Sequence, residues 1–234
     1  MADRIQGMGG RRRGGVTLLE MMVALAILAV LVGIAIPNIA EWSRHQRLKD
    51  GARSIGDLLL LARTEAIRTG RRHVVFFGPP GSADPGGNPI EANGAWVPVL
   101  ALDDGAPAAS NCLIEGGEER EGLAPLDGLS WGVSVATGPV PTDAGVGPFA
   151  PASWDGGTFA DAGGTAVHWL LFGPDGLPVV FDGLGGDCGA LGAAGAGGGA
   201  LYVTDGERDY AIVLSPIGGV RVHLWHPESG AWSS

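Results

Sequence analysis

Apolar and polar positions divide the chain into three regimes. From Val16 to Ile36 the sequence is apolar on every side, with Thr17 and Glu20 its only clearly polar positions. At about 1.5 Å rise per residue, that stretch makes roughly 31 Å of helix, enough to cross the hydrocarbon core of a bilayer. From Ile39 onward the apolar residues thin to every third or fourth position, at Ile39, Trp42, Leu48, Ala52, Ile55, Leu59, Ala62 and Ala66. Arg44, Arg47, Lys49, Asp50, Arg53, Asp57, Arg63 and Arg68 then fall largely on other faces. This spacing predicts an amphipathic helix that continues the first. Pro37 removes a helical donor, and because apolar spacing resumes at once it predicts a bend rather than an end. Gly70 predicts the stop, with Arg68, Arg71 and Arg72 suited to the negative end of the helix dipole.

After residue 70 the period shortens to two. His73 to Phe77, Ala95 to Leu102, Leu129 to Val135, Ala166 to Phe172 and Pro178 to Phe181 read as strands. Leu201 to Asp205, Asp209 to Ser215 and Val220 to Trp225 read as a meander joined by tight turns. The intervening stretches, Asp103 to Gly128 and Thr137 to Gly164, are rich in turn residues and predict long loops of variable surface or partner contact. The glycine-rich tract from Gly183 to Gly199 predicts a flexible loop.

Charge changes this picture more by its distribution than by its total of −10. Four arginines and Asp3 lie in residues 1–15, whereas from His73 onward three arginines oppose nineteen acids, a balance of −16. Such a head repels phosphate backbones, so no nucleic acid partner is expected. The leader arginines favour a cytoplasmic N-terminus, which puts the head across the membrane. In that oxidising compartment the two cysteines, Cys112 and Cys188, are permitted a single disulfide, the alternative being two free buried thiols.

Candidate chemistry is sparse. His223 and His226 lie on opposite faces of a strand, and the loop bearing Asp84, Asn88 and Glu91 lacks the spacing of a calcium loop, so no metal is expected. The glycine tract is not followed by a helix, and neither Ser130 nor Ser215 sits in a nucleophile-elbow context. No catalytic constellation and no cofactor is expected. Trp154 and Trp232, in polar surroundings, are candidates for partner contact.

Glu20 is the informative residue. A carboxylate at the bilayer centre costs about 2.5 to 3.5 kcal/mol on insertion scales, and no residue within one helical turn can neutralise it. Arg11, Arg12 and Arg13 are followed by Gly14 and Gly15 directly before the apolar run, the reverse of a secretory signal, whose cleavage site follows its apolar region. Cleavage after Gly15 leaves the helix on the mature protein and frees an amine on Val16. That amine is a candidate partner for Glu20 on a neighbouring copy or a related subunit.

Gly15-Val16-Thr17-Leu18-Leu19-Glu20, the apolar run and Pro37 resemble the prepilin leader and N-terminal helix of type IV pilins and type II secretion pseudopilins, with Val16 where the family usually has Phe. Leu58 to Arg68 is similar to a helix of the type II secretion minor pseudopilin H family and of FimT-type minor pilins. The resemblance is good over residues 8–77, moderate over 166–225 and weak between. It implies an α+β, type IV pilin-like fold, with a long N-terminal helix, transmembrane in its first half, packed on an antiparallel β-sheet head. The implied parts are a leader (1–15), a transmembrane helix (16–36), its amphipathic continuation (37–70) and a periplasmic β-rich head (71–234). It further implies cleavage between Gly15 and Val16 by a prepilin peptidase, N-methylation of Val16, a helix kink at Pro37 and an assembly role for Glu20. The implied activity is that of a minor pseudopilin in the cell inner membrane, built into the pseudopilus that drives protein export across the outer membrane. Its implied partners are major and minor pseudopilins, the inner-membrane assembly platform, and the secretin or secreted cargo. The alternative is a FimT-type minor pilin of a type IV pilus, serving assembly or DNA uptake. Gly219-Val220-Arg221-Val222 offers only one arginine for that purpose.

Overall fold

The computed structural model describes residues 15–105, 110–125, 128–141, 156–161, 163–183 and 188–233, and only the backbone of 34–40. It comprises two compact units, Met1–Ser43 and Arg44–Ser234. Helix α1 (Leu18–Thr69) contributes to both. Pro37 lies inside α1 and not at its end. Among the described residues no helix is long and apolar enough to cross a membrane, and the expected span of 16–36 ends on residues whose side chains lie outside the described set.

In the second unit α1 presents Leu48, Ala52, Ile55, Leu59, Ala62 and Ala66 to a buried core. The helix closes at Gly70, whose N–H bonds back to the Ala66 carbonyl at 3.0 Å. Ten strands form two antiparallel sheets among the described residues. The first has the order β5 (Arg120–Gly122), β4 (Val99–Asp104), β1 (Arg72–Phe77), β7 (Trp169–Phe172), β8 (Pro178–Val179). The second runs β12 (Ala231–Ser233), β11 (Val220–His226), β10 (Asp209–Leu214), β9 (Gly199–Thr204), β6 (Ser130–Trp131). A separate two-stranded ladder pairs β2 (Glu91–Ala92) with β3 (Ala95–Trp96).

Strand alternation sorts side chains between three cores. Val75, Phe77, Val99, Ala101, Leu170 and Phe172 of the first sheet join Leu201, Val203, Ile212 and Leu214 of the second in the core beneath α1. The opposite face of the first sheet, with Val74, Phe76, Leu100, Leu102 and Leu171, is covered by Ile90, Val97, Phe181, Cys112 and Cys188. The opposite face of the second, with Ala200, Tyr202, Ala211, Val213, Trp225 and Trp232, is covered by Val140 and the partly buried Val133, Val135 and Ala136. Each sheet is therefore buried on both faces, by a helix in front and by irregular chain behind.

This arrangement corrects the reading of the loops as variable surface. Their described parts form the back walls, and buried aspartates hold them there. Asp209 accepts from the N–H groups of Ser134 (2.9 Å), Val135 (2.8 Å) and Ala136 (2.6 Å). Asp104 accepts from Asn111 and Cys112, both at 2.9 Å, and Asp84 from Asn88 and Ile114, both at 2.7 Å. Asp84, weighed above as an oxygen ligand, is thus occupied as a loop staple. With Asp103 and Glu118, these three make five buried acids among the described residues of the head, so less of its negative charge faces outward than the sequence balance suggests.

The glycine tract also departs from its expected flexibility where it is described. Gly192, Gly195 and Gly197 donate to the carbonyls of Val180 and Pro178 at 2.8–3.1 Å, and Phe181 bridges Leu191. A Cβ at Gly197 would stand 2.7 Å from the Val179 nitrogen, so glycine here permits close backbone approach. Cys112 and Cys188 are joined by a disulfide that ties this tract to the wall segment behind β4.

Single elements shift too. Ala95 to Leu102 is divided into β3 and β4, because Pro98 supplies no N–H for a continuous ladder. Leu129 to Val135 keeps only Ser130–Trp131 as strand, since the N–H groups that follow are drawn to Asp209. Trp232 is only 8 % exposed, stacked near Tyr202 and Trp225 and donating to the Gly138 carbonyl at 2.9 Å, so it is core and not a partner contact. Trp42, placed on the apolar face by spacing, is 64 % exposed. Trp154 lies outside the described residues.

Candidate processing and assembly site

Gly15, Val16 and Thr17 precede α1 without regular structure, and all three are exposed. Thr17 is the N-cap. Its carbonyl accepts the first helical bond from Met21 at 3.2 Å, and its hydroxyl accepts from the Glu20 N–H at 3.2 Å. Thr-x-x-Glu is the spacing of a capping box, a signal the reading of Glu20 as a lone buried acid passed over. Cap and first-turn carboxylate both suit the positive end of the helix, which accounts for a sharp start directly after Val16.

The consequence for chemistry is steric. The Gly15–Val16 peptide bond lies in an irregular exposed segment, Val16 is 66 % exposed, and among the described residues no atom beyond the chain neighbours stands within 4 Å of where a Gly15 Cβ would be. A protease cleft can take such a segment without unwinding a helix. Glu20 forms no ion pair among the described residues. The next turns expose Leu18, Leu19, Met21, Met22, Val23, Leu25, Ile27, Leu28, Val30 and Leu31, on every side of the helix. A helix apolar all round requires lipid or other helices around it.

Residues 10–36 match the family described as the prokaryotic N-terminal methylation motif. The chain is pilin- or pseudopilin-like at its N-terminus. A motif of this type implies processing by a prepilin peptidase, a membrane-anchored N-terminus and assembly with other pilins. The matched segment includes Gly15, Val16, Thr17 and Glu20, the residues gathered at the start of α1. No curated protein and no solved structure matches the chain. The α+β architecture, a helix packed with antiparallel sheets, is consistent with a pilin-like fold.

Of the other residues singled out by sequence, Cys112 and Cys188 are brought together in a buried disulfide, each sulfur 3.6 Å from Asp104 Oδ2. His223 is buried and His226 exposed, so their side chains do not converge. The titratable groups perturbed in the head are structural. Burial raises the Glu118 carboxyl, opposed by the Glu115 N–H, and burial raises the Tyr202 and Tyr210 hydroxyls.

Proposed function

We propose that the protein is a minor pseudopilin of the type II secretion system, related to the H family, and that its role is structural and not enzymatic. It is made as a prepilin and cut between Gly15 and Val16, and the new Val16 amine is methylated. The helix then holds the chain in the inner membrane by a single pass, N-terminus cytoplasmic and head periplasmic. Pro37 bends the helix, which packs in the filament core from Thr17 to Arg68. Val16 and Glu20 act together: methylation leaves the amine cationic, and the Glu20 carboxylate of a neighbouring subunit neutralises it, relieving both buried charges. Partners are major and minor pseudopilins, the inner-membrane assembly platform, and the secretin or cargo.

The observation that carries this reading is the exposed Gly15–Val16 bond set directly before a capped helix whose first turns are apolar apart from Glu20, within a methylation-motif match. Leu58–Arg68 resembles a helix common to the H family and FimT-type minor pilins, so it supports both readings. The second reading is a FimT-type minor pilin; the single Arg221 on β11 and the acid excess of the head speak against DNA uptake.

Intact mass and N-terminal sequencing of protein from cells with active prepilin peptidase should give a chain beginning at N-methylated Val16. A chain retaining Arg11–Arg13 sinks the reading. Isolation of sheared pseudopili should recover the chain, whereas tight duplex binding at physiological salt would favour the pilus alternative.

A further inference from the structure

Beside α1, on the flank that faces β4 and β5, lies a cavity of about 240 Å³ lined by Leu61, Ala62, Leu102, His73, Asp103 and Glu119. Its floor is a cross-strand pair. His73 on β1 lies opposite Asp103 on β4, so both side chains leave the sheet on the helix side, just beyond Val75 and Ala101. They are 6 % and 2 % exposed, yet His73 Nδ1 and Asp103 Oδ1 have no hydrogen-bond partner, and buried polar atoms of that kind are rare. Asp103 Oδ2 faces Arg71 at 2.6 Å, which uses one oxygen and leaves the other.

The surrounding charges are accounted for one by one. Glu65 is held by Arg68 at 2.5 Å, and its carboxyl is lowered by that bond. Arg120 is committed to the Glu115 carbonyl. Glu119 and Glu121, both exposed at the mouth, have no ion pair among the described residues. The site therefore offers apolar walls, two unfilled buried positions on its floor and two free carboxylates at its rim. At 240 Å³ it is smaller than the roughly 300–1,000 Å³ of small-molecule pockets, and suits one long side chain.

We infer that this cavity receives an arginine side chain from a neighbouring pilin-like subunit. A guanidinium has five N–H donors and no acceptor, so it can serve Asp103 Oδ1, His73 Nδ1 as an acceptor and a rim carboxylate together, while its aliphatic stem lies along Leu61 and Ala62. The chemistry of the cavity stands by itself; the identity of the donor as a subunit rests on the assembly reading above.

The test uses the full chain in detergent micelles with methyl-labelled leucines, titrated with N-acetyl-arginine amide and with its neutral isostere N-acetyl-citrulline amide. The arginine probe should shift the Leu61 methyls and bind about tenfold more tightly than citrulline, as a charge-assisted donor should. The exposed pair Glu119→Gln/Glu121→Gln should weaken it about threefold without changing the thermal midpoint. Equal responses to both probes, silence at Leu61, or indifference to the double substitution overturns the site. In cells, a photo-cross-linker replacing Leu61 should capture another pilin-like subunit next to an arginine. Probe binding without that product overturns the subunit as donor while leaving cleavage at Val16 untouched, so the two ideas fail separately.

Discussion

Arg63, on α1, donates from Nη1 to the carbonyl of Gly218 at 3.1 Å, and from Nε to the carbonyl of Gly176 at 3.1 Å. One turn follows β10 in the second sheet and the other precedes β8 in the first, so a single guanidinium fixes both sheets to the helix. Gly218 has φ of +78°, and a Cβ there would stand 2.7 Å from the Gly176 oxygen and 2.8 Å from Arg63 Nε. The backbone oxygen cannot yield as a side chain would. Gly218→Ala should therefore destabilise the head by on the order of 2 kcal/mol, and Arg63→Met by about 1–3 kcal/mol through two carbonyls losing their donor. Urea unfolding followed by circular dichroism checks both; a Gly218→Ala midpoint equal to wild type contradicts the close approach.

The disulfide joins residues 76 apart. Closing a loop of that size restricts the unfolded chain, and its removal should cost about 2–5 kcal/mol. Cys112→Ala/Cys188→Ala should lower the denaturation midpoint by that amount, and reductant should do the same to wild type but leave the double variant unmoved.

Asp205 supplies a pH signature. Burial alone would raise its carboxyl, but the N–H groups of Glu207 and Arg208 and the ring of His45, 3.2 Å away, hold it below the usual 3.8. A depressed folded value means the unfolded chain takes up the proton first as pH falls. The stabilisation is complete above about pH 5, and is lost as pH falls through the folded value, below 3.8. Asp205→Asn should thus lose about 1–3 kcal/mol at pH 7, with the gap to wild type closing only in the acid range. A gap that is constant down to pH 2.5, about one unit below the ordinary carboxylate range, would rule the effect out.

Gly15 separates folding from processing. Among the described residues no atom lies near its missing Cβ, so Gly15→Val should leave the thermal midpoint of the head unchanged. Its effect should appear only in the peptidase reaction, as retention of the leader on intact mass. Glu20→Ala should instead leave cleavage largely intact and reduce recovery in sheared filaments. Thr17→Ala should lower helicity at the start of α1 at a cost of about 1 kcal/mol, with partial loss in both assays.

The amino-acid order alone determined what depends on near neighbours. Leucine and alanine at helical spacing from Leu48 to Ala66, a glycine after Thr69, and alternation through Leu201, Ile212 and Val222 mark α1 and the meander, because those forces act within a few residues. The Gly15 to Glu20 string was likewise legible, being a contiguous chemical signal. What tertiary structure decided is every relation across long separations: β1 lying between β4 and β7, Cys112 meeting Cys188, and Trp232 becoming core. It also decided that Asp84, Asp104 and Asp209 face inward to hold irregular chain, and that His73 and Asp103 share a cavity floor. A carboxylate's wish for N–H donors can be read from its residue type, but which loop brings them depends on the chain closing upon itself.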